Sequence, residues 1–387
     1  MKQFLSFVLA SSAALLTACN DQTTQPRSLA DGPNATVPAR RDINGDTRPV
    51  GGVYVSTNGA SGNAIVAFAR FESGALEKLG EFNTGGLGIG GGGDPLQSQG
   101  SVVVSRDHQT LFVVNAGSNT ISTFTIDNGA ALHLRGTVSS FGSGPISLAV
   151  TDQRLFVLNL DNSIASYSIA GAGLPTPLGQ LSLGPASDGP STINASRDGH
   201  YVFVTERAGN AIAVATVDER GNITSAGRRA SSGGGPFGFA VTSRDQLVVS
   251  EAGAGAVSSY KLAGGTLSLI TGSLSTQQAA PCWLVLSNDE RFAFVANAGS
   301  GSIGGFAVSP DGVLTPLSPD GRTGVTNGSG ATPLDIHVTR DGKFLYALQT
   351  GTGTVGSFAI GATGSLTTLP DTPGLAAVAG FQGLAAF

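Results

Sequence analysis

Seven polar residues end apolar runs along the chain, and two of them are acidic. The series has a mean spacing of roughly 49 residues and comprises Thr57, Asn115, Asn159, Glu206, Glu251, Asn297 and Gln349. Equivalent positions of neighbouring repeats lie at the same height in a repeat fold, so Glu206 and Glu251 are expected to be neighbours. Like charges held close together disfavour joint ionisation, so the pKa of one of the two carboxyls should rise toward neutrality. A carboxyl with a raised pKa suits general acid or base catalysis. If both carboxyls are ionised instead, the pair suits the binding of a cation. The alternative is a solvated rim, where the interaction is weak.

A second repeated position carries two more polar residues. It reads Val103, Ala149, Asn194, Ala240, Val285, His337 and Ala385. Trp283, the only tryptophan, begins one of the same segments beside Cys282. We predict ligand contacts for Asn115, Asn159, Asn297, Gln349, Asn194, His337 and Trp283. The alternative for the polar residues is a buried structural role, and for Trp283 an indole packed on the Cys282 thiol.

Other site chemistry is not indicated by the sequence. No His, Cys and Asp cluster has the spacing of metal ligands, so we predict no metal and no cofactor. The residues from Gly86 to Gly91 satisfy G-x-G-x-x-G, but no helix follows, and we interpret residues 84–100 as a flexible loop. Aspartates recur in the turns between strands because Asp caps tight turns through the backbone; they are Asp107, Asp198, Asp289 and Asp341.

Short apolar strands separated by Asp, Asn and Gly turns must position these residues. The segment from Ser101 to Asp127 reads as strand, turn, strand, turn, strand, and three later segments repeat it. Four short strands in each repeat of this length describe a propeller blade. Seven repeats predict an all-β protein, a seven-bladed β-propeller of four-stranded antiparallel blades over residues 49–387.

The two ends of this region predict how the ring closes. The first repeat begins at Gly51 with what is already a second strand, and the last seven residues, Phe381 to Phe387, resemble first strands elsewhere. The C-terminal segment is therefore predicted to supply the inner strand of blade one, which removes the exposed edge of an open ring.

Composition excludes some partners. Formal net charge is −5, only 12% of residues are charged, and adjacent basic residues occur only as Arg40–Arg41 and Arg228–Arg229. No basic stripe is present to neutralise phosphates, so nucleic acid is not a predicted partner. We expect a monomer that binds a small molecule or a protein on one face of the ring.

The N-terminus is typical of an exported protein. Lys2 precedes an apolar run that is too short to span a bilayer, and Leu16-Thr17-Ala18-Cys19 follows. This ending resembles the bacterial lipoprotein signal, which implies that residues 1–18 are removed and that Cys19 carries lipid. Polar residues 19–48 then form a flexible tether. The resemblance implies a cell-envelope lipoprotein, periplasm-facing or at the surface, with the outer membrane favoured by Asn20. The alternative is an ordinary signal.

The repeats themselves resemble a known family. The units around residues 105–127 and 287–308 are similar to those of the lactonase family of seven-bladed propellers, with YVTN-type repeats, which includes 6-phosphogluconolactonase-like proteins and carboxymuconate-lactonizing enzymes. The family's enzymes carry Gly-Pro-Arg-His at the start of an inner strand and Glu at the end of the next. The Glu matches at Glu206 and Glu251, but no repeat has Arg or His at the equivalent positions. The sequence therefore favours a ligand- or protein-binding propeller; the alternative is a lactone hydrolase or cyclase using Glu206 or Glu251.

Overall fold

A computed structural model describes residues 48–170 and 173–387, and its architecture confirms the seven-bladed propeller. The segments predicted for the signal, for Cys19 and for nearly all of the tether lie outside the described residues. In the described part of the chain, no helix has the length and apolarity needed to cross a bilayer.

Seven antiparallel sheets form the blades, and each runs from an inner strand at the channel to an outer strand at the surface. Blade one comprises β1 (Gly51–Ser56), β2 (Ala64–Arg70) and β3 (Leu76–Asn83), with its inner strand supplied from the C-terminus. Blade two comprises β4 (Val102–Val104), β5 (Thr110–Asn115), β6 (Thr120–Ile126) and β7 (Leu132–Ser139). Blade three comprises β8 (Pro145–Val150), β9 (Arg154–Asn159), β10 (Ser163–Ser168) and β11 (Thr176–Ser182). A 3-10 helix, Ala186–Asp188, leads to blade four.

The remaining blades follow the same order. Blade four comprises β12 (Pro190–Ala195), β13 (Tyr201–Glu206), β14 (Ala211–Val217) and β15 (Ile223–Ala230). Blade five comprises β16 (Pro236–Val241), β17 (Gln246–Glu251), β18 (Ala256–Ala263) and β19 (Thr266–Ser275). Blade six comprises β20 (Pro281–Leu286), β21 (Phe292–Asn297), β22 (Ser302–Val308), β23 (Leu314–Pro316) and β24 (Gly324–Val325). Blade seven comprises β25 (Pro333–Val338), β26 (Phe344–Gln349), β27 (Thr354–Ile360), β28 (Leu366–Thr368) and β29 (Thr372–Pro373).

The C-terminal strand β30 (Gln382–Ala386) closes the ring, as the sequence predicts. It pairs antiparallel with β1, with Tyr54 opposite Ala385, and thereby completes the sheet of blade one. The seven inner strands contact one another in a closed cycle, from β4 through β8, β12, β16, β20 and β25 to β30 and back. Every inner strand is therefore held on both sides by neighbours.

The strands differ in burial according to their place in the blade. The second strands are apolar and buried on both faces, as in β26, because each blade packs between two others. Outer strands such as β15 are mostly exposed and carry polar residues. The core therefore lies between blades, and it includes aromatic residues such as Tyr54, Phe156 and Phe294.

The predicted structural role of the turn aspartates is confirmed. Asp107 accepts hydrogen bonds from the Ser105 hydroxyl at 2.5 Å and from the Gln109 amide at 3.1 Å. The equivalent bonds recur at Asp198, Asp289 and Asp341. These carboxylates are therefore engaged in hydrogen bonds within the turns that they cap.

Candidate functional site

The inner strands run in one direction around a central channel, which defines two ends. The upper mouth is the end where the inner strands begin, and the lower mouth is the end where they finish. At the upper mouth, prolines that begin inner strands pair with the polar residues that end second strands, as in Pro190 with Glu206 and Pro236 with Glu251. Both glutamates therefore end second strands at the upper mouth, beside the starts of the inner strands.

The polar residues that end the second strands are buried rather than exposed to the channel. Asn115, Asn159, Glu206, Glu251, Asn297 and Gln349 are all 0% exposed, so they do not form a solvated rim. The structure ends β1 at Ser56, one residue before the predicted Thr57. The burial follows from the packing of second strands between neighbouring blades.

The neutral members of this series hold the turn between second and third strands. Asn115 donates to the Thr120 hydroxyl at 3.1 Å, and Asn159 donates to the Ser163 hydroxyl at 3.2 Å. The equivalent pairs are Asn297 with Ser302 at 3.1 Å and Gln349 with Thr354 at 3.3 Å. In each case the partner lies at or beside the start of the third strand, which gives these four side chains a structural role.

The two glutamates have separate partners. Glu206 accepts hydrogen bonds from Asn162 at 2.8 Å and from Arg228 at 2.6 Å. Glu251 accepts from the Ser258 hydroxyl at 2.6 Å and from the Gly233 amide at 2.8 Å. Burial raises the pKa of Glu206, against the lowering effects of Asn162 and Arg228. Both carboxyls are thus bound to side chains and loops outside the channel.

The column containing His337 and Asn194 does line the channel, as predicted. A cavity of about 250 Å³ is bounded by inner strands of all seven blades, and its wall includes Val103, Asn194, Val285 and His337. Burial lowers the pKa of His337 to about 4, so its imidazole is neutral at neutral pH. Its Nδ1 is buried and has no hydrogen-bond partner among the described residues. The cavity therefore presents a mainly apolar wall with a few polar groups.

Residues 84–100 are not the flexible loop that their glycine content suggests. The segment Asp94–Gly100, which we call the plug, crosses the upper mouth and hydrogen-bonds to the inner strands. Leu96 and Ser98 are buried, at 2% and 0% exposure. The Ser98 carbonyl accepts hydrogen bonds from the Trp283 indole at 2.9 Å and from the Gln382 amide at 3.2 Å.

Further contacts hold the plug to several blades at once. The Gln99 side chain both donates to the Leu284 carbonyl at 2.8 Å and accepts from the Leu284 amide at 2.9 Å. The Ser191 hydroxyl donates to the Gln97 carbonyl at 2.8 Å. Because the plug contacts blades on opposite sides of the ring, it closes the upper end of the channel cavity.

Trp283 has a packing role, but the ring that it packs against is Phe237; packing of the indole on the Cys282 thiol, the alternative to ligand binding, stays a prediction. Its side chain is 1% exposed and packs edge-on against Phe237, with ring centroids 5.2 Å apart. Cys282 beside it is a free thiol whose pKa is raised by burial first and by the charge of Asp94 second. A thiol held protonated is a poor nucleophile, so Cys282 has no indicated catalytic role.

Two carboxyls at the upper mouth were not identified as site residues from the sequence. Burial raises the pKa of Asp94, at the start of the plug, to about 7, and the nearby Arg207 guanidinium and several hydrogen bonds oppose this. Burial likewise raises the pKa of Asp335 to about 7, with a smaller contribution from Asp94. Asp335 occupies one of the positions where the family's Arg-His pair is expected. It was the only charged residue in that column, which is the sequence signal that could have identified it.

Asp335 binds the plug and the closing strand together. Its Oδ2 accepts from the Gly100 amide at 3.2 Å and from the Leu384 amide at 3.3 Å, and its Oδ1 accepts from the Ile336 amide at 3.1 Å. Asp94 is less enclosed and keeps part of its surface accessible. The upper mouth therefore combines the anchored carboxyl of Asp335, the carboxyl of the half-buried Asp94 and the guanidinium of Arg207. Among the described residues, no group of three or more His, Cys, Asp and Glu could hold a metal.

Comparisons with known proteins agree with this fold. A sequence model described as "Lactonase, 7-bladed beta-propeller" matches residues 53–187 and 157–252. A 6-phosphogluconolactonase of Serratia proteamaculans is 23% identical over 265 residues, which cover 66% of this chain and 79% of the relative.

Solved structures give the same result. The periplasmic gluconolactonase of Pseudomonas aeruginosa superimposes with a TM-score of 0.65 at 18% identity, covering 87% of this chain and 98% of the other. A protein from Lactobacillus plantarum superimposes with a TM-score of 0.70 at 18% identity, covering 88% and 99%. At these identities the structural likeness supports the fold alone. Taken with the match of the sequence model, it places the chain in the lactonase family of seven-bladed β-propellers.

Proposed function

We propose that this propeller hydrolyses a small lactone at its upper mouth, with Asp94 as general base and Arg207 as the group that stabilises the oxyanion. The observation that carries the proposal is that Asp94, a half-buried residue, lies near the Arg207 guanidinium, at the end of the channel where the inner strands begin. Membership of the lactonase family supports the reaction class, and the names of relatives point to sugar lactones.

The proposed reaction needs only these two groups and water. Ionised Asp94 takes a proton from a water molecule while the water oxygen attacks the lactone carbonyl carbon. Arg207 stabilises the negative charge that develops on the carbonyl oxygen. The ring C–O bond then breaks, and protonated Asp94 returns its proton to the departing alkoxide, which leaves a hydroxy acid. A pKa near 7 suits a group that must both accept and donate a proton near neutral pH.

Asp335 acts here as a positioning residue. Its bonds to Gly100 and Leu384 fix the C-terminal end of the plug. The N-terminal end is fixed by the bond from the Gln97 amide to Asp94 at 2.9 Å. These contacts hold Asp94 in a defined position at the mouth.

An assay of the purified full chain against gluconolactone, 6-phosphogluconolactone and a muconolactone tests the proposal. We expect Asp94→Asn to lower kcat/KM for the accepted lactone by about 10²- to 10⁴-fold, since the variant removes a general base. Glu251→Gln is the matched control, because this carboxyl is buried outside the channel, and its kcat/KM should stay within a few-fold of wild type. Hydrolysis that Asp94→Asn leaves intact, or no turnover of any lactone above the blank, would contradict the proposal.

A non-catalytic propeller that binds a small molecule or a protein at the upper mouth is the second candidate. The absence of Arg and His from every position equivalent to the family's pair favours it. Calorimetry separates the two candidates, since saturable binding of a lactone without turnover supports the binding module.

A further inference from the structure

The lower mouth carries a concentration of arginines that the proposed reaction does not use. The turn after the inner strand places an Arg just before the capping Asp in three blades, at Arg106, Arg197 and Arg340. All three line one pocket of about 480 Å³ at the lower mouth. The other lining residues are His108, Asn288, His337, Val338 and Ala386, so no acidic side chain lines the pocket.

The acidic residues of the same turns do not line this pocket and are engaged elsewhere. Asp107 and Asp198 each accept from a serine hydroxyl and a backbone amide of their own turn. Asp341 does the same with Thr339 and Lys343, and it also pairs with Arg70 at 3.3 Å. None of these carboxylates lines the pocket, so the three guanidinium groups are the charged groups that face it.

The arginines themselves are weakly engaged. Arg106 pairs with Asp152 at 3.4 Å, where both side chains are substantially exposed and the interaction is weak. Arg340 contacts the Nδ1 of His108 at 3.4 Å, and no partner of the Arg197 side chain occurs among the described residues. The His108 ring stacks on Phe387, with centroids 4.9 Å apart. Burial and the charge of Arg340 lower the pKa of His108, so the imidazole adds little charge at neutral pH.

A second, independent observation points to a ligand at the same place. His337 borders both this pocket and the channel cavity, and its buried Nδ1 has no hydrogen-bond partner within the described ranges. An unpaired buried polar atom costs free energy unless a ligand or water satisfies it. The pocket thus combines three guanidinium groups with an unused hydrogen-bonding atom at its inner end.

We infer that the lower mouth is an anion site for a phosphate monoester group, held by Arg106, Arg197 and Arg340. Guanidinium groups match the geometry of phosphate oxygens and keep their charge at all physiological pH values. The site lies at the opposite end of the channel from Asp94, and it does not depend on lactone hydrolysis. The phosphate belongs either to a soluble molecule or to a lipid headgroup.

The position of the chain ends makes the lipid source relevant. The described chain enters the propeller at the lower mouth, where the Val50 amide donates to Arg70 and the Arg70 Nε donates to the Phe387 carbonyl at 2.8 Å. The predicted lipid on Cys19 would hold the protein at a membrane, whose headgroups are one source of phosphate. The three guanidinium groups therefore suit either a phosphate of a membrane headgroup or a soluble phosphate.

Calorimetry of the full chain with inorganic phosphate and with glycerol phosphate tests the site. We expect saturable binding that weakens as NaCl is added and that weakens at least tenfold in the Arg197→Gln/Arg340→Gln variant. Arg244→Gln is the control, since it removes an exposed arginine from the corresponding turn of blade five, outside the pocket. That control should bind within about twofold of wild type.

Vesicles distinguish the two sources of phosphate. Full chains carrying Cys19→Ser are mixed with phosphatidylcholine vesicles that contain or lack phosphatidic acid. If the protein is retained on vesicles that contain phosphatidic acid, and the double variant loses this retention while Arg244→Gln keeps it, the source of the phosphate is the lipid. Binding of soluble phosphate without retention assigns the soluble source. Absence of both, or an equal loss in Arg244→Gln, would overturn the anion site.

Discussion

Removal of residues Phe381 to Phe387 should abolish cooperative folding of the propeller. The truncation deletes β30, whose residues are almost fully buried, and it exposes the edge of β1. Burying a large apolar side chain such as Phe381 or Leu384 contributes about 1.5–3 kcal/mol each, and the truncation also removes a strand ladder and the Leu384–Asp335 bond. Such losses approach the 5–15 kcal/mol, roughly, that stabilises a whole domain.

Circular dichroism during thermal unfolding measures this effect. The truncated chain should be poorly soluble or lack a single sharp transition. Deletion of Phe387 alone is the control, because it leaves β30 in place and removes chiefly the Phe387–Gly52 hydrogen bond and the contacts to His108 and Arg70. An unchanged melting temperature in the longer truncation would show that the C-terminal strand does not close the ring.

Replacement of Trp283 by alanine should destabilise the fold more than other single substitutions near the upper mouth. The change opens a cavity beside Phe237 and removes the indole hydrogen bond to Ser98. Truncation of a buried tryptophan costs about 3–5 kcal/mol of unfolding free energy. Trp283→Phe should cost less, because it keeps an aromatic ring and loses mainly the hydrogen bond.

Urea unfolding followed by far-ultraviolet circular dichroism is the suitable measurement, because both variants lack the single tryptophan fluorophore. A loss below about 1 kcal/mol in Trp283→Ala would be typical of a surface position. It would mean that Trp283 does not anchor the plug.

The periodicity of the sequence was sufficient to predict the blades, their number and the closure. Apolar strands of regular spacing carry this information locally, and the pairing of Tyr54 with Ala385 follows from matching the two chain ends. The lining of the channel by His337 and Asn194 followed from the same alignment of repeats. Register was predictable because a strand places alternate side chains on opposite faces.

The plug was not predictable because its stabilising contacts are distant in sequence. Residues 84–100 are rich in glycine, and composition of this kind is typical of a flexible loop. The bonds from Trp283 and Gln382 to Ser98 join residues 185 and 284 positions apart. No local pattern reports such contacts.

The burial of Glu206 and Glu251 was missed for a related reason. Their position at strand ends predicts a polar collar of adjacent residues, with a solvated rim as the alternative, but each carboxyl is covered by loops and by residues of outer strands, including Arg228 for Glu206. The proposed general base is therefore Asp94, with Asp335 as a positioning residue, rather than either glutamate. Asp94 lies in the plug, and its environment exists only once the ring has formed.

The pH dependence of lactone hydrolysis is the most direct test of Asp94 as the general base. Burial raises the pKa of Asp94 to about 7, and a base acts in its ionised form, so kcat/KM should rise with pH below about 7 and level above it. The measurement spans pH 5 to 8 with spontaneous hydrolysis subtracted at each pH. We expect this rise in wild type and in Glu251→Gln, and its loss in Asp94→Asn. A flat profile in wild type, or the same rise in Asp94→Asn, would contradict the role of Asp94 as the general base.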